Sequence, residues 1–140
     1  MDARGFELID HASDLRLRAW GMSVGETFAQ ACAGLWFIIA DPASVPLKLN
    51  WAACVSGADM EELVVNLLNE QLFSFESEGL VAGRVESVSF TERCAVIEVC
   101  AHLVGCRTDD LPCEPSRYIK AATYHNLVVS DRMVEITLDV

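Results

Sequence analysis

Three residues near the start of the chain, Asp10, His11 and Asp14, are of types that bind metals or transfer protons. They lie at the junction of two predicted strands, where side chains can converge on one point outside a sheet. Carboxylates are the hard oxygen donors that Ca²⁺, Mg²⁺ and Mn²⁺ prefer. Asp is also frequent in ordinary turns, and a single His is usually a structural or surface residue. The spacing alone therefore leaves both interpretations open.

A second group of candidates lies at the other end of the sequence, where Asp139 precedes Val140 and the main-chain carboxylate of Val140 adds an adjacent anion. A frayed, solvated tail is the commoner fate of such a segment. However, Val134, Ile136 and Leu138 alternate with polar residues, a pattern that favours a strand held in a sheet. Asp139 and Val140 are therefore candidate ligands for a divalent cation.

Lys120 is one of only two lysines in the chain and lies in the stretch Tyr-Ile-Lys-Ala-Ala-Thr-Tyr-His. Strand alternation predicts that Lys120 shares a face with Tyr124, whereas Ile119 takes the other face. A solvated strand lysine is the ordinary interpretation, and a cation that contacts a phosphate or an acidic partner is the functional one. The sequence has no Gly-x-Ser-x-Gly, P-loop or His-Glu-x-x-His motif, so the familiar nucleophile, nucleotide and zinc-protease signatures are missing.

The charge balance restricts the partners. Ten Lys and Arg against 21 Asp and Glu give a net charge of −11, which repels a phosphate backbone. We expect no tight direct binding of nucleic acid, and we expect attraction to a basic partner or to metal cations. The acidic start and the short apolar stretches predict neither a signal peptide nor a membrane span, so the expected location is the cytoplasm.

Six cysteines are present without a Cys-x-x-Cys pair, so a structural zinc site is not expected. In a domain of this length, disulfides are not needed for stability. Several of the cysteines lie inside apolar runs, and we interpret all six as reduced core residues.

Positioning these residues requires a mixed fold. Two short strands are predicted at 6–10 and 15–20, followed by a helix over 24–40 that begins after Ser23, a candidate N-cap residue. A strand at 46–56 precedes a second helix that runs from Asp59, its N-cap, to Gly79. Further strands are predicted at 84–91, 95–104, 118–129 and 133–139, the last two joined as a hairpin through residues 130–132. The sequence predicts one α+β domain over 1–140, a two-layer sandwich with a mostly antiparallel sheet of six or seven strands and two helices on one face.

Several of these stretches, in this order, resemble the archease family. They are Phe6 to Asp14 (Phe-Glu-Leu-Ile-Asp-His-Ala-Ser-Asp), Ala19-Trp-Gly21, Leu67-Leu-Asn-Glu70, Lys120-Ala-Ala-Thr-Tyr-His125 and Leu138-Asp-Val140. The resemblance spans the whole chain. It departs from the family where Ala12 replaces a threonine and where Cys106 follows Gly105 in place of a glutamate.

The resemblance implies an accessory protein, not an enzyme, that activates an RtcB-type RNA ligase in tRNA splicing or RNA repair. It would do so by promoting guanylylation of the ligase from GTP, with a divalent cation (Ca²⁺, Mn²⁺ or Mg²⁺), and so allow multiple turnover. Carried over residue by residue, the metal ligands fall on Asp14, Asp139 and the terminal carboxylate of Val140. A functionally important lysine falls on Lys120.

Two other classes of function remain open at this point. The same carboxylates, with His11 as acid or base, could form a metal-dependent phosphohydrolase. The sequence contains no second cluster of His and Asp to complete a two-metal site, which weighs against this alternative. A chaperone-like interaction module is the third possibility.

Overall fold

The computed structural model describes residues 2–10 and 14–140. Its elements are, in chain order, strands β1 (Gly5–Asp10) and β2 (Leu15–Trp20), helix α1 (Val24–Ile39), strand β3 (Leu49–Gly57), helix α2 (Met60–Glu78), and strands β4 (Leu80–Arg93), β5 (Val96–Arg107), β6 (Ala121–Val129) and β7 (Met133–Asp139). Two short 3₁₀ turns lie at Pro42–Ser44 and Thr108–Asp110. No helix in the described ranges is long and apolar enough to cross a membrane.

The strands form two antiparallel sheets. The four-stranded sheet has the order β1-β2-β7-β6, and the three-stranded sheet has the order β3-β5-β4. The predicted α+β fold, with two helices and six or seven mostly antiparallel strands, is confirmed, since the described residues form two helices and seven antiparallel strands. The strands divide between two sheets, however, where the sequence predicted one sheet.

Capping interactions account for the starts of both helices and for the end of α2. Ser23 Oγ accepts a hydrogen bond from Glu26 N at 3.2 Å, and Asp59 Oδ1 accepts one from Glu62 N at 2.8 Å, so each side chain satisfies a backbone donor of a first helical turn. Gly79 ends α2 with φ +68°, a left-handed conformation that glycine adopts without steric cost. The N-caps and the glycine stop predicted from sequence are confirmed.

The helices hold the two sheets together. Helix α1 packs on β2 and β4, and α2 packs on β3 and β6, so each helix contacts both sheets. The apolar faces of the helices and sheets form one core cluster, which includes Leu17, Phe28, Leu67, Val99 and Ile136. Burial of this continuous apolar surface is the main favourable contribution to folding.

A polar contact lies inside this core between the helices. Gln71 is fully buried; its Oε1 accepts a hydrogen bond from Trp36 Nε1 at 2.7 Å, and its Nε2 donates to Leu67 O at 3.1 Å. Nε2 also lies 3.2 Å from Cys32 Sγ. Each polar atom of the amide is therefore satisfied, which removes the desolvation cost of burying it.

The prediction that all six cysteines are reduced core residues is wrong. Cys54 and Cys100 are direct partners in the β3–β5 register, with Cα atoms 4.1 Å apart, and they form a disulfide. Cys94 and Cys113 are exposed, and only Cys32 and Cys106 are buried thiols. The strands around Cys54 and Cys100 are predicted by the sequence, but alternate strand residues point away from the core, and both cysteines lie on that outward face, where the β3–β5 register pairs them.

Candidate metal site at the end of the four-stranded sheet

The β2–β7 register brings the two ends of the sequence together. Leu15, the first residue of β2, pairs with Leu138. Asp14 immediately precedes this pair on one strand and Asp139 immediately follows it on the other. Asp14 is partly buried and Asp139 is exposed. Two carboxylates that are 125 positions apart in sequence thus lie at neighbouring strand ends.

Lys120 lies on the other side of Asp139. Its backbone N–H donates to Asp139 O at 2.8 Å, and the next residue, Ala121, is the register partner of Asp139. Lys120 is exposed, whereas Ile119 is only 4% exposed. The main chain at Lys120 is therefore fixed against Asp139, while its side chain is exposed.

Asn69 of α2 fixes the same segment from the helix side. Its Oδ1 accepts a hydrogen bond from Ala122 N at 2.8 Å, and its Nδ2 donates to Ala122 O at 3.1 Å. The side-chain amide thus pairs with the β6 backbone as a neighbouring strand would. Sequence reasoning included Asn69 in a family-like stretch but assigned it no role. The pairing depends on how α2 packs against β6, which a linear pattern does not specify.

The donor set fits a hard cation. Within residues 2–10 and 14–140, no lysine or arginine side chain forms an ion pair with Asp14 or Asp139. Their carboxylates are thus not neutralised by a basic side chain in that part of the chain. In the described ranges, no three His, Cys, Asp or Glu side chains gather closely enough to hold a metal. Two carboxylates do not complete a cation site, so a cation here would need a further ligand besides Asp14 and Asp139.

Two further candidates from the sequence are His11 and Asp10. His11 lies outside the described residues. Asp10 ends β1 as the register partner of Leu15 and is exposed. Paired residues project on the same face of a sheet, so Asp10 lies on the Leu15 side of the sheet, beyond the edge of the core.

Arginines and glutamates occupy the outer face of the same sheet. Arg18 donates to Glu7 Oε1 at 2.6 Å and to Glu135 Oε1 at 3.1 Å. The hydrogen bonds from Glu135 and Glu7 raise the pKa of Arg18. The acidic side chains on this face therefore form ion pairs with arginine. The carboxylates of Asp14 and Asp139 form no such pair within the described residues.

The fold and the neighbouring strand ends define a class of small α+β protein in which residues far apart in sequence lie together at one end of a sheet. The model of the archease protein family (MTH1598/TM1083) matches residues 6–140. The chain belongs to the archease family.

Relatives from two domains of life are similar over most of their length. The archease-like protein of Caenorhabditis elegans is 29% identical over 133 residues, covering 94% of this chain and 84% of that protein. The archease of Pyrococcus abyssi is 30% identical over 125 residues, covering 89% of this chain and 87% of that protein.

Two solved structures share the fold. The solution structure of Methanobacterium thermoautotrophicum protein 1598 superposes with a TM-score of 0.81 at 21% identity, covering 97% of this chain and 99% of that chain. A crystal structure from Thermotoga maritima, named as an archease and possible chaperone, gives a TM-score of 0.57 at 16% identity, with 96% of each chain covered.

Proposed function

We propose that this archease-family chain is a cation-binding accessory protein that activates an RtcB-type RNA ligase by promoting its guanylylation from GTP and thus multiple turnover. The observation that supports the proposal is that the β2–β7–β6 register places Asp14, Asp139 and the Lys120 backbone at neighbouring strand ends of one sheet. The choice of an RNA ligase as the partner rests on membership of the archease family.

In this proposal, Asp14, Asp139 and the carboxylate of Val140 hold a divalent cation, with Ca²⁺, Mn²⁺ and Mg²⁺ as candidates. A bound cation would supply positive charge that neutralises phosphate oxygens. Lys120 would contact an anionic group of GTP or of the ligase, because its side chain is exposed while its backbone is fixed. The residues of this chain would therefore bind and orient anions, and the bond-making chemistry would belong to the ligase.

The excess of acidic residues supports a protein partner over RNA. A net charge of −11 disfavours direct contact with a phosphate backbone. We therefore expect the ligase to bind the RNA and this chain to bind the ligase. A chaperone-like role is the second candidate, since the similar Thermotoga maritima structure is named as a possible chaperone.

A ligase turnover assay tests the proposal. A cognate RtcB-type ligase is given excess RNA ends, GTP and a divalent cation, with and without this chain. We expect several products per ligase molecule and faster ligase guanylylation only when the chain is present. An equal rate in both arms would contradict the activator role.

Two further arms separate the alternatives. Hydrolysis of generic phosphoesters by the purified chain with metal, in the absence of ligase, would favour a phosphohydrolase. Suppression of ligase aggregation without any change in guanylylation would favour the chaperone-like role.

A further inference from the structure

We infer that Arg16 is a positioning residue for the proposed cation site. Its side chain ties together the three strands whose ends carry Asp14, Asp139 and Lys120. This inference rests on the proposed function, because it concerns the cation site named there, and it adds a residue that the sequence patterns did not indicate.

Arg16 lies on β2, two residues after Asp14. Its Nη1 donates to Thr137 Oγ1 at 2.6 Å, and its Nη2 donates to Asn126 O at 2.8 Å. Nη1 also approaches His125 O at 3.4 Å, and Nε lies 3.6 Å from Glu135 Oε1. The Arg16 side chain is only 13% exposed, and its contact with Thr137 is part-buried, whereas its contacts with residues 125 and 126 are exposed.

The strand that receives these contacts is irregular. Between the pairs Thr123–Thr137 and Val128–Glu135, β6 advances by five residues while β7 advances by two. The extra residues form a bulge in which Asn126 has φ +52°, the left-handed region that Asn tolerates better than most residues. Backbone carbonyls in this bulge have lost their ladder partners, and the Arg16 guanidinium supplies donors for two of them.

Thr137 completes the connection. Its hydroxyl accepts from Arg16 and donates to His125 O at 2.9 Å, and Thr137 is 5% exposed. Thr137 lies two residues before Asp139 and is the register partner of Arg16. One guanidinium therefore connects β2 beside Asp14, β7 beside Asp139, and the β6 strand that begins after Lys120.

A positioning role and a simple charge effect of Arg16 predict opposite changes in cation affinity when Arg16 is replaced. Arg16 is a cation close to a proposed cation site, so removing its charge would by Coulomb's law strengthen cation binding. Loss of positioning would instead weaken binding, because the carboxylates would no longer be held at converging strand ends. Residues that orient metal ligands typically contribute roughly 10–100-fold to affinity.

The test is calorimetric titration of the full chain with Ca²⁺ and with Mn²⁺. We expect Arg16→Gln and Thr137→Val each to weaken cation binding roughly tenfold, with Arg16→Lys intermediate because lysine keeps the charge but loses the planar fork. Arg18→Gln is the matched control, since Arg18 lies on the same face of β2 but two residues further from Asp14. It should leave cation affinity unchanged or slightly stronger.

Hydrogen exchange supplies a readout of the bulge itself. Amides of residues 124–127 should exchange faster in Arg16→Gln and Thr137→Val than in Arg18→Gln, while amides of α1 and α2 remain protected and report an intact fold. Unchanged cation affinity in both Arg16→Gln and Thr137→Val, with wild type binding the cation in an Asp14-dependent manner, would overturn this inference alone. Wild-type protein that binds no divalent cation would overturn the cation site together with it.

Discussion

At the scale of single residues, we expect the carboxylates and the lysine at these strand ends to bind different ligands. Asp14 and Asp139 offer oxygen donors, and Lys120 offers an exposed ammonium. A cation bound by the two carboxylates would repel the lysine if both served the same ligand set. We therefore expect the carboxylates to bind the metal and the lysine to bind an anion.

Asp14→Asn should abolish most cation binding and ligase activation while leaving the fold unchanged. The substitution preserves shape but removes one anionic ligand, so we expect affinity to fall by roughly 100-fold or more, beyond the range typical for outer partners. Calorimetry with Ca²⁺ or Mn²⁺, circular dichroism and ligase turnover measure the three quantities. Asp131→Asn, in the exposed turn before β7 at the opposite end of that strand, is the control. Normal activation by the Asp14 variant at near-stoichiometric metal would show that Asp14 is only a turn residue.

Lys120→Ala should impair activation without reducing cation affinity, because its expected ligand is an anion of GTP or of the partner. Lys120→Arg should rescue part of the activity, since guanidinium and ammonium differ in geometry and hydration. The measurement pairs calorimetry with guanylylation of the ligase. If cation affinity in the alanine variant dropped as far as activation did, Lys120 would belong to the cation site instead.

At the scale of elements, the site is a consequence of strand register and helix docking. Strand β7 lies between β2 and β6, so its end is flanked by the start of each neighbour. The Asn69 amide then joins the β6 backbone at Ala122 to α2. A shift of one residue in the β2–β7 pairing would move Asp14 and Asp139 to opposite faces of the sheet.

Asn69→Ala should lower the free energy of unfolding by about 1–3 kcal/mol, because it leaves the partly buried N–H and C=O of Ala122 without partners. Asn66→Ala is the matched control on the same helix. Asn66 donates to Ser56 O in an exposed hydrogen bond, and its loss should cost about 0.5 kcal/mol or less. Urea denaturation of both variants decides this, and equal destabilisation would show that the Ala122 contact has no special weight.

A short extension after Val140 should weaken cation binding, whereas an extension before Met1 should not. A peptide bond converts the Val140 carboxylate to a neutral carbonyl and moves the negative charge at least ~3.5 Å along the chain. Val140→Ala retains the carboxylate and should bind as wild type does. Metal titrations of these proteins provide the comparison, and equal affinities in all of them would remove Val140 from the ligand set.

At the scale of the whole molecule, one core joins two sheets, and the buried thiol of Cys32 makes stability dependent on pH. Cys32 is fully buried between the helices beside Gln71. Burial raises the pKa of the Cys32 thiol from 9.0 to about 12. The folded state therefore holds this proton more tightly than the unfolded chain does.

The sign of the effect follows from linkage. The contribution of Cys32 to stability is complete below about pH 9 and is lost as pH rises toward about 12, because the unfolded thiol ionises first. The free energy of unfolding should decline by up to about 1.4 kcal/mol per pH unit in this window from this group. Cys32→Ser, whose hydroxyl does not titrate there, should show a shallower decline. Urea denaturation from about pH 8 to about pH 10.5 measures both slopes, and identical slopes would contradict the assignment.

Local patterns in the sequence determined the elements of this protein. Apolar spacing defined both helices, Ser23 and Asp59 their starts, and Gly79 the end of the second. Alternation identified the strands, including β7 with Asp139 at its end. These features could be predicted because each depends on neighbours within a few positions, where backbone hydrogen bonding and side-chain period act directly. Asp14, Asp139, Val140 and Lys120 could be selected as candidates from their residue types and from the family resemblance.

Only the tertiary structure decided which of these residues meet. It divided the strands into two sheets, placed Cys54 opposite Cys100, and created the β6 bulge that Arg16 and Thr137 hold. It also turned the Asn69 amide toward Ala122. These outcomes depend on pairings between segments far apart in sequence, and strand register is set by which faces the whole core can bury at once. A linear pattern specifies the faces of a strand but not its partner, so the contacts that organise the site arise from the packed fold.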